Sequence, residues 1–256
     1  MDRYRDRFRI IFIIIYFLSL FFLGSLFVMM FGAILASSNG ISVSAVINVI
    51  IGNKNYTPSL EEENIALAAQ GFGNALTYLI MFISAIIFMR KDFKDDFILF
   101  KSNKKFYIIY TIVAVIIFTG LAYLISYLIN LAVDVSENQK TIESIMKTSA
   151  MVPMIISTAI FAPVVEELIY RKCVFHYTRS FKIYFGYILS IVLFTLPHIF
   201  SSIGKFSVGT FFLMMIPYVI DAFMLALIYH KGKFNIYTTI LCHMMNNILA
   251  IILLFV

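Results

Sequence analysis

The sequence has no tryptophan, only two cysteines and little charge, since 13% of its 256 residues are Asp, Glu, Lys or Arg. A soluble domain carries about twice that share of charge, so a water-soluble globular protein is excluded. Cys173 and Cys242 lie alone within apolar segments, which indicates neither a disulfide framework nor a zinc knuckle. Intrinsic disorder and collagen-like repeats are excluded as well, because 61% of the residues are hydrophobic.

Long apolar runs dominate the chain instead. The mean hydropathy is +0.93, with 27 Phe and 15 Tyr, which is typical of a protein whose solvent is mostly lipid. The formal net charge of +6 comes from Lys and Arg clusters between the apolar runs, a pattern typical of a multi-pass membrane protein and not of nucleic-acid binding. The stretch from Ile10 to Asn53 is uncharged and far exceeds a signal peptide's apolar region of about 7–15 residues. It therefore predicts a first transmembrane helix.

Seven apolar segments approach or exceed the length of about 20 residues that a helix needs to cross the hydrocarbon core. They are Ile10–Ala36, Ile65–Met89, Phe106–Val133, Ala150–Tyr177, Ile183–Phe200, Thr210–Tyr229 and Phe234–Val256. A further stretch, Ile41–Ile51, is too short to span and is predicted to be interfacial or re-entrant, with an eighth crossing as the alternative. The sequence thus predicts an all-α, polytopic transmembrane helix bundle of about seven spans.

The basic residues predict the orientation of this bundle, because Lys and Arg near span ends are retained on the cytoplasmic side. With the N-terminus inside, fifteen of the 20 basic residues fall on the cytoplasmic side and four on the other, while Arg171 lies within a span. We therefore expect an integral, multi-pass protein of the lipid bilayer with a cytoplasmic N-terminus. For an odd number of spans, the C-terminus lies on the opposite side.

Strongly polar side chains inside spans are costly, so they usually face the bundle interior and form a site or a pair. Eight such residues lie in the C-terminal half: Glu166, Glu167, Arg171, His198, Asp221, His243, Asn246 and Asn247. The first three spans carry no acidic or basic residue. We therefore divide the chain into residues 1–149, three spans with their loops, and residues 150–256, with an active site expected between the C-terminal four spans.

Counting along the helices predicts that several of these residues lie at one depth. Glu166 precedes Lys182, in the turn between the fourth and fifth spans, by 16 residues, and His198 follows it by 16. At 1.5 Å per residue both lie about 24 Å from the turn, so antiparallel packing brings a carboxylate and an imidazole to the same level. His243 and Asn247 lie about 15–21 Å beyond the basic residues before the last span, close enough in depth to join them.

Helical periodicity predicts the face that each residue occupies. Glu167 and Arg171 are four apart, in the favourable order for an ion pair. Glu166 points about 100° away from Glu167 around the helix and is not paired with Arg171. It is therefore a candidate general base or acid. His243 and Asn247, also four apart, present an imidazole and an amide that could donate hydrogen bonds to an oxyanion. The alternative is a structural ion pair, with each His packed and bonded to a backbone carbonyl.

Three motifs in these spans resemble those of a known family. EELIYR (Glu166–Arg171) matches EExxxR, FTLPH (Phe194–His198) matches FxxxH, and HMMNN (His243–Asn247) matches HxxxN, in that order. Each motif alone is weak, but the ordered triplet resembles the CAAX protease and bacteriocin-processing family, also called the Abi family, of intramembrane endopeptidases. The resemblance covers about Ala150–Ile251, and the first three spans add nothing specific to it.

The resemblance implies that residues 150–256 are a catalytic core and that each motif residue has a role. It implies that Glu166 and His198 activate the attacking water. It implies that His243 and Asn247 stabilise the oxyanion of the tetrahedral intermediate. The second Glu and the Arg of the first motif would hold the site together.

The same resemblance bears on the substrate. Eukaryotic members of the family cut the last residues from prenylated proteins, while bacterial members are linked to bacteriocin self-immunity and peptide maturation. A composition rich in Ile, Phe, Lys and Asn is typical of an AT-rich bacterium. We therefore expect a bacterial cytoplasmic-membrane protein that acts on a hydrophobic peptide or membrane-protein segment and not on a CAAX substrate.

Alternatives to this hypothesis concern metal and catalysis. We expect no cofactor, but zinc held by Glu166, His198 and His243, with one position open for water, is the alternative. The chain has no HExxH motif, which disfavours zinc. A second alternative is a non-catalytic membrane immunity or regulatory partner that uses the polar cluster for packing. A proton-coupled transporter is a third, against which the lack of internal repeats counts.

Overall fold

The computed structural model describes residues 3–131, 137–200 and 206–255. Within these ranges the chain consists of helices and short turns and contains no strand. We number the helices in chain order: α1 (residues 3–38), α2 (Val43–Ile50), α3 (Leu60–Phe88), α4 (Arg90–Ser102), α5 (Lys104–Asn130), α6 (Glu137–Ile145), α7 (residues 151–178), α8 (Ile183–Ile199), α9 (Val208–Lys231) and α10 (Ile236–Leu253).

The apolar helices match the seven predicted segments one to one. Helices α1, α3, α5, α7, α9 and α10 are long and apolar enough to cross a membrane, and α8 is a shorter apolar helix of 17 residues. The prediction of an all-α, multi-pass membrane bundle is therefore confirmed. Helix α2, within the stretch Ile41–Ile51, has eight residues. It rises only about 12 Å, too little to span.

Two further helices, α4 and α6, lie between spans and do not follow from the search for apolar runs. Helix α4 is rich in charge, yet it buries Asp92 and Asp96 while Phe97 and Ile98 are exposed. A search for apolar runs cannot find a helix whose buried side is charged, because the residues that offset those charges lie on other helices.

Asp96 of α4 joins the C-terminal helices at one end of the bundle. Its carboxylate accepts hydrogen bonds from the Lys172 ammonium of α7 and from the backbone N–H of Ile236, each at 2.7 Å. The second bond satisfies one of the free N–H groups at the start of α10. Burial raises the pKa of the Asp96 carboxyl above its ordinary value, against the opposing effect of Lys172. Asp96 of α4 therefore links the Lys172 side chain of α7 to the first turn of α10.

Close backbone contact joins α1 to α3. A Cβ atom on Gly73 would lie 2.8 Å from the backbone N and 2.9 Å from the Cα of Val28. Small residues at such positions let two membrane helices approach until their backbones touch. This contact, together with the buried ion pair between Arg9 of α1 and Asp92 of α4, holds the N-terminal helices against the rest of the bundle.

Candidate active site

Helix α7 carries the EELIYR motif across the boundary between a regular segment and a π-helical one. Its regular segment Ala162–Glu167 lies between π-helical segments at Ser157–Phe161 and Leu168–Phe175. Pro163, at the start of the regular segment, has no N–H to donate, which favours the wider turn before it. A π-helical turn inserts a residue and rotates the rest of the helix, and such turns are frequent at functional sites. The two glutamates are the last residues of the regular segment, directly before the second π-helical segment.

Glu167 links two of the three motifs. It is fully buried, and its Oε2 accepts a hydrogen bond from Arg171 Nε at 2.9 Å. Its Oε1 accepts from His243 Nδ1 at 3.1 Å. Because a carboxylate only accepts, this bond places a proton on Nδ1 and turns Nε2 of His243 away from Glu167.

Arg171 is held on the far side of this carboxylate. Its Nη1 donates to Ser190 of α8, whose hydroxyl donates to the backbone carbonyl of Tyr170 at 3.0 Å. The guanidinium carbon lies 5.4 Å from the centroid of the Phe194 ring, a cation–π contact. Within the described part of the chain, Nη2 of this side chain has no hydrogen-bond partner. The first motif is thus tied to α8 as well as to α10.

Glu166 faces a different group of side chains. Its Oε1 accepts a hydrogen bond from the Tyr78 hydroxyl of α3 at 2.7 Å. Its Oε2 lies 3.9 Å from His243 Nε2, beyond direct hydrogen-bonding distance. Glu166 is 5% exposed, so its Oε2 and the Nε2 of His243 face each other inside the bundle.

His198 lies beside this pair without a hydrogen bond to it in the described structure. Its Nδ1 is 3.0 Å from the carbonyl oxygen of Phe194, so Nδ1 carries a proton, and in the neutral ring Nε2 keeps its lone pair. Its ring stacks on the Phe194 ring, with centroids 5.0 Å apart, and Phe194 lies 5.8 Å from the His243 ring. The Phe of the FxxxH motif therefore contacts both imidazole rings.

Asn247 lies one turn beyond His243 on α10. Its Nδ2 donates to the backbone carbonyl of Thr158, in the first π-helical segment of α7, at 2.9 Å. This bond uses one of the two N–H groups of the amide. The second N–H and the amide oxygen have no partner among the described residues. Asn247 thus joins α10 to α7 and retains a free donor.

The residues of the zinc alternative do not form a ligand set. In the described ranges there is no group of three His, Cys, Asp or Glu side chains that could hold a metal ion. His243 donates its Nδ1–H to Glu167, and its Nε2 lies 3.9 Å from Oε2 of Glu166. The zinc alternative gains no support from the described residues, and the absence of a cofactor stays a prediction.

Comparison with known proteins adds a further observation. Residues 148–249 match the family model described as type II CAAX prenyl endopeptidase, Rce1-like. The resemblance to the CAAX proteases is confirmed over this segment. It contains all three motifs and runs from the turn before α7 into α10, close to the predicted limits Ala150–Ile251. No curated protein and no solved structure matches the chain.

Three contacts in and around this CAAX-protease-like segment do not follow from the motifs. Tyr78 binds Glu166 from α3, outside the matched segment, and Ser190 binds Arg171. Phe194 is a motif letter, but its contact with both imidazoles and the guanidinium is visible only in three dimensions. The sequence signal for Ser190 is a small polar residue in an apolar helix. Tyr78 gives no such signal, because Tyr is common in this chain.

Proposed function

We propose that this protein is an intramembrane endopeptidase that hydrolyses a peptide bond in a hydrophobic peptide or a membrane-protein segment. The match of the C-terminal segment to a membrane protease family supports the reaction class. The observation that carries the proposal for this chain is the buried pair of Glu166 and His243, whose Oε2 and Nε2 face each other across 3.9 Å. In this proposal a water molecule and the carbonyl group of the substrate bind beside these two atoms.

Glu166 and His198 are the proposed activators of water. The Oε2 of Glu166 accepts a proton from water as the water oxygen attacks the carbonyl carbon, which forms a tetrahedral intermediate. The unprotonated Nε2 of His198 is a second acceptor in the same region, because Nδ1 holds the proton against the Phe194 carbonyl. When the C–N bond breaks, the proton passes to the leaving amine.

His243 and Asn247 are the proposed donors to the oxyanion. In its imidazolium form, His243 donates Nδ1–H to Glu167 and Nε2–H towards the space beside Glu166. Asn247 contributes its second amide N–H, while its first remains on Thr158. Donors fixed in this way stabilise the charge that develops in the transition state, and one such donor typically contributes a factor of about 100–1,000 in kcat.

The proposed cellular setting rests on the amino-acid sequence. The basic residues favour a cytoplasmic N-terminus, and the composition favours a bacterial cytoplasmic membrane. For a protein in that setting we propose an unprenylated hydrophobic peptide as substrate. A non-catalytic immunity or regulatory protein is the competing function, and it would use the same side chains only for packing.

The test is hydrolysis by the full-length protein in liposomes. Two internally quenched hydrophobic peptides of one sequence, one farnesylated and one unmodified, are offered to the wild type and to Glu166→Gln and His198→Gln variants. We expect each substitution to lower kcat by about 100-fold to 10,000-fold, because each removes a proton acceptor. Glu61→Gln, which alters an exposed carboxylate at the start of α3, is the matched control and is expected to behave as the wild type.

A comparison of membrane peptides from cells that carry the wild type or Glu166→Gln extends the test to native substrates. Cleavage that continues unchanged in Glu166→Gln, at normal protein levels, would rule out the proposed mechanism and favour the packing role. Preference for the farnesylated peptide would overturn the proposed substrate class but not the proposed hydrolysis of a peptide bond.

A further inference from the structure

Tyr78 lies on α3, far from the matched segment 148–249 and outside all three motifs. Its hydroxyl donates to Glu166 Oε1 at 2.7 Å across 88 residues of sequence. Among the described residues, Glu166 is its one hydrogen-bond partner. Tyr78 of α3 therefore supplies the sole protein hydrogen bond to the Glu166 carboxylate in the described structure. The three motifs do not predict this bond.

The bond makes the two oxygens of Glu166 different. Oε1 is occupied by Tyr78, whereas Oε2 is directed at His243 Nε2. A carboxylate held at one oxygen cannot rotate freely about its last bond, so the other oxygen stays aimed at the space between Glu166 and His243.

We propose that Tyr78 is a positioning residue for Glu166, so that residues 1–149 complete the catalytic site. The proposal rests on the endopeptidase function above. Tyr78 contacts Oε1 of Glu166 and not Oε2, the oxygen that accepts the proton. It therefore acts on the rate of the chemical step and not on substrate affinity. The segment that matches the family is accordingly insufficient for full activity without α3.

The surroundings of Tyr78 support this role. Tyr16 of α1 and Tyr170 of α7 share a hydrogen bond of 2.6 Å between their hydroxyls, and both side chains are 1% exposed. Their rings meet edge to face, with centroids 6.0 Å apart. This pair packs α1 directly against the motif helix, so both α1 and α3 hold polar contacts to α7. The N-terminal helices thus contact the motif helix directly through side-chain hydrogen bonds.

The experiment compares Tyr78→Phe with the wild type in the full-length protein, with the unmodified quenched peptide as the probe. Phe keeps the ring and its packing but removes the hydroxyl. We expect kcat to fall by about tenfold to 100-fold with KM unchanged, because the lost hydrogen bond orients the proton acceptor for the chemical step and does not contact the substrate. Resistance to unfolding by SDS should remain near that of the wild type.

Tyr110→Phe is the matched control. The Tyr110 hydroxyl of α5 donates to the backbone carbonyl of Ile228 at 3.1 Å, and in the described structure it has no hydrogen bond to a motif residue. Its loss removes a comparable hydrogen bond between helices, and kcat should stay at the wild-type value. If both variants lose activity together with resistance to SDS, the role of Tyr78 is packing and the proposal is overturned.

The outcomes separate this proposal from the one on which it rests. Wild-type kinetics in Tyr78→Phe, beside an inactive Glu166→Gln, would overturn the positioning role alone. No difference between the wild type and Glu166→Gln would overturn the endopeptidase function, and the role of Tyr78 with it. A fall in kcat at constant KM for Tyr78→Phe, with Tyr110→Phe active, supports both.

Discussion

The two partners of the buried ion pair in α7 should differ in how much their loss destabilises the protein. Glu167 accepts from Arg171 and from His243, whereas the described contacts of Arg171 include one carboxylate, the Ser190 hydroxyl and an aromatic ring. Both partners of the pair have no exposed surface. Removing one member of a buried pair leaves the other charge uncompensated, which costs about 3–5 kcal/mol.

Glu167→Gln should therefore carry this full cost, because Arg171 loses its only described carboxylate. Arg171→Met should cost less, about 1–3 kcal/mol, because a protonated His243 can still compensate Glu167. The double variant Glu167→Gln with Arg171→Met removes both charges. It should be more stable than Glu167→Gln alone, yet inactive, because His243 then lacks the carboxylate with which its Nδ1–H forms a charge-assisted hydrogen bond.

The assay is the free energy of unfolding from SDS titration in mixed micelles, with peptide hydrolysis measured on the same preparations. An Arg171→Met variant as unstable as Glu167→Gln, or more so, would refute the view that His243 shares the carboxylate. A double variant less stable than either single one would refute the view that uncompensated charge is the main cost.

Two further predictions concern the frame around the site. Asp96→Ala should destabilise the fold by about 3–5 kcal/mol, because it leaves Lys172 buried without its carboxylate, and adding Lys172→Met should restore part of the loss; SDS titration measures both, and no recovery would contradict the assigned pairing. Gly73→Ala should cost about 1–3 kcal/mol, because its Cβ would meet the backbone of α1, whereas Gly120→Ala, with nothing near the added methyl, should gain about 0.4–1 kcal/mol. Equal effects of the two Gly substitutions in the same titration would contradict the close contact of α1 with α3.

The spans were predictable because a bilayer imposes its requirement on each segment separately. A run of about 20 apolar residues must form a helix in lipid whatever surrounds it, since its backbone has no other hydrogen-bond partners. The end positions differ by a few residues, as for α9, which extends to Lys231 beyond the predicted Tyr229. Helix α4 was not predictable in this way, because its buried Asp96 is stable only beside Lys172.

The candidate site was predictable only in part. The relation of Glu167 to Arg171 follows from a spacing of four residues, and the structure forms that ion pair. The spacing within α10 also places His243 and Asn247 on one face, but it does not reveal that their partners are Glu167 and Thr158. The catalytic roles and the division at residue 150 stay predictions.

Local spacing and hydropathy by themselves determined the membrane class, the apolar spans and the three motifs, because each depends on residues that are close in sequence. Tertiary packing alone decided which imidazole faces Glu166, which carboxylate holds His243 and that Tyr78 enters the site. These contacts join side chains up to 88 residues apart. Their directions depend on how helices rotate and cross, and no count along a single helix contains that information.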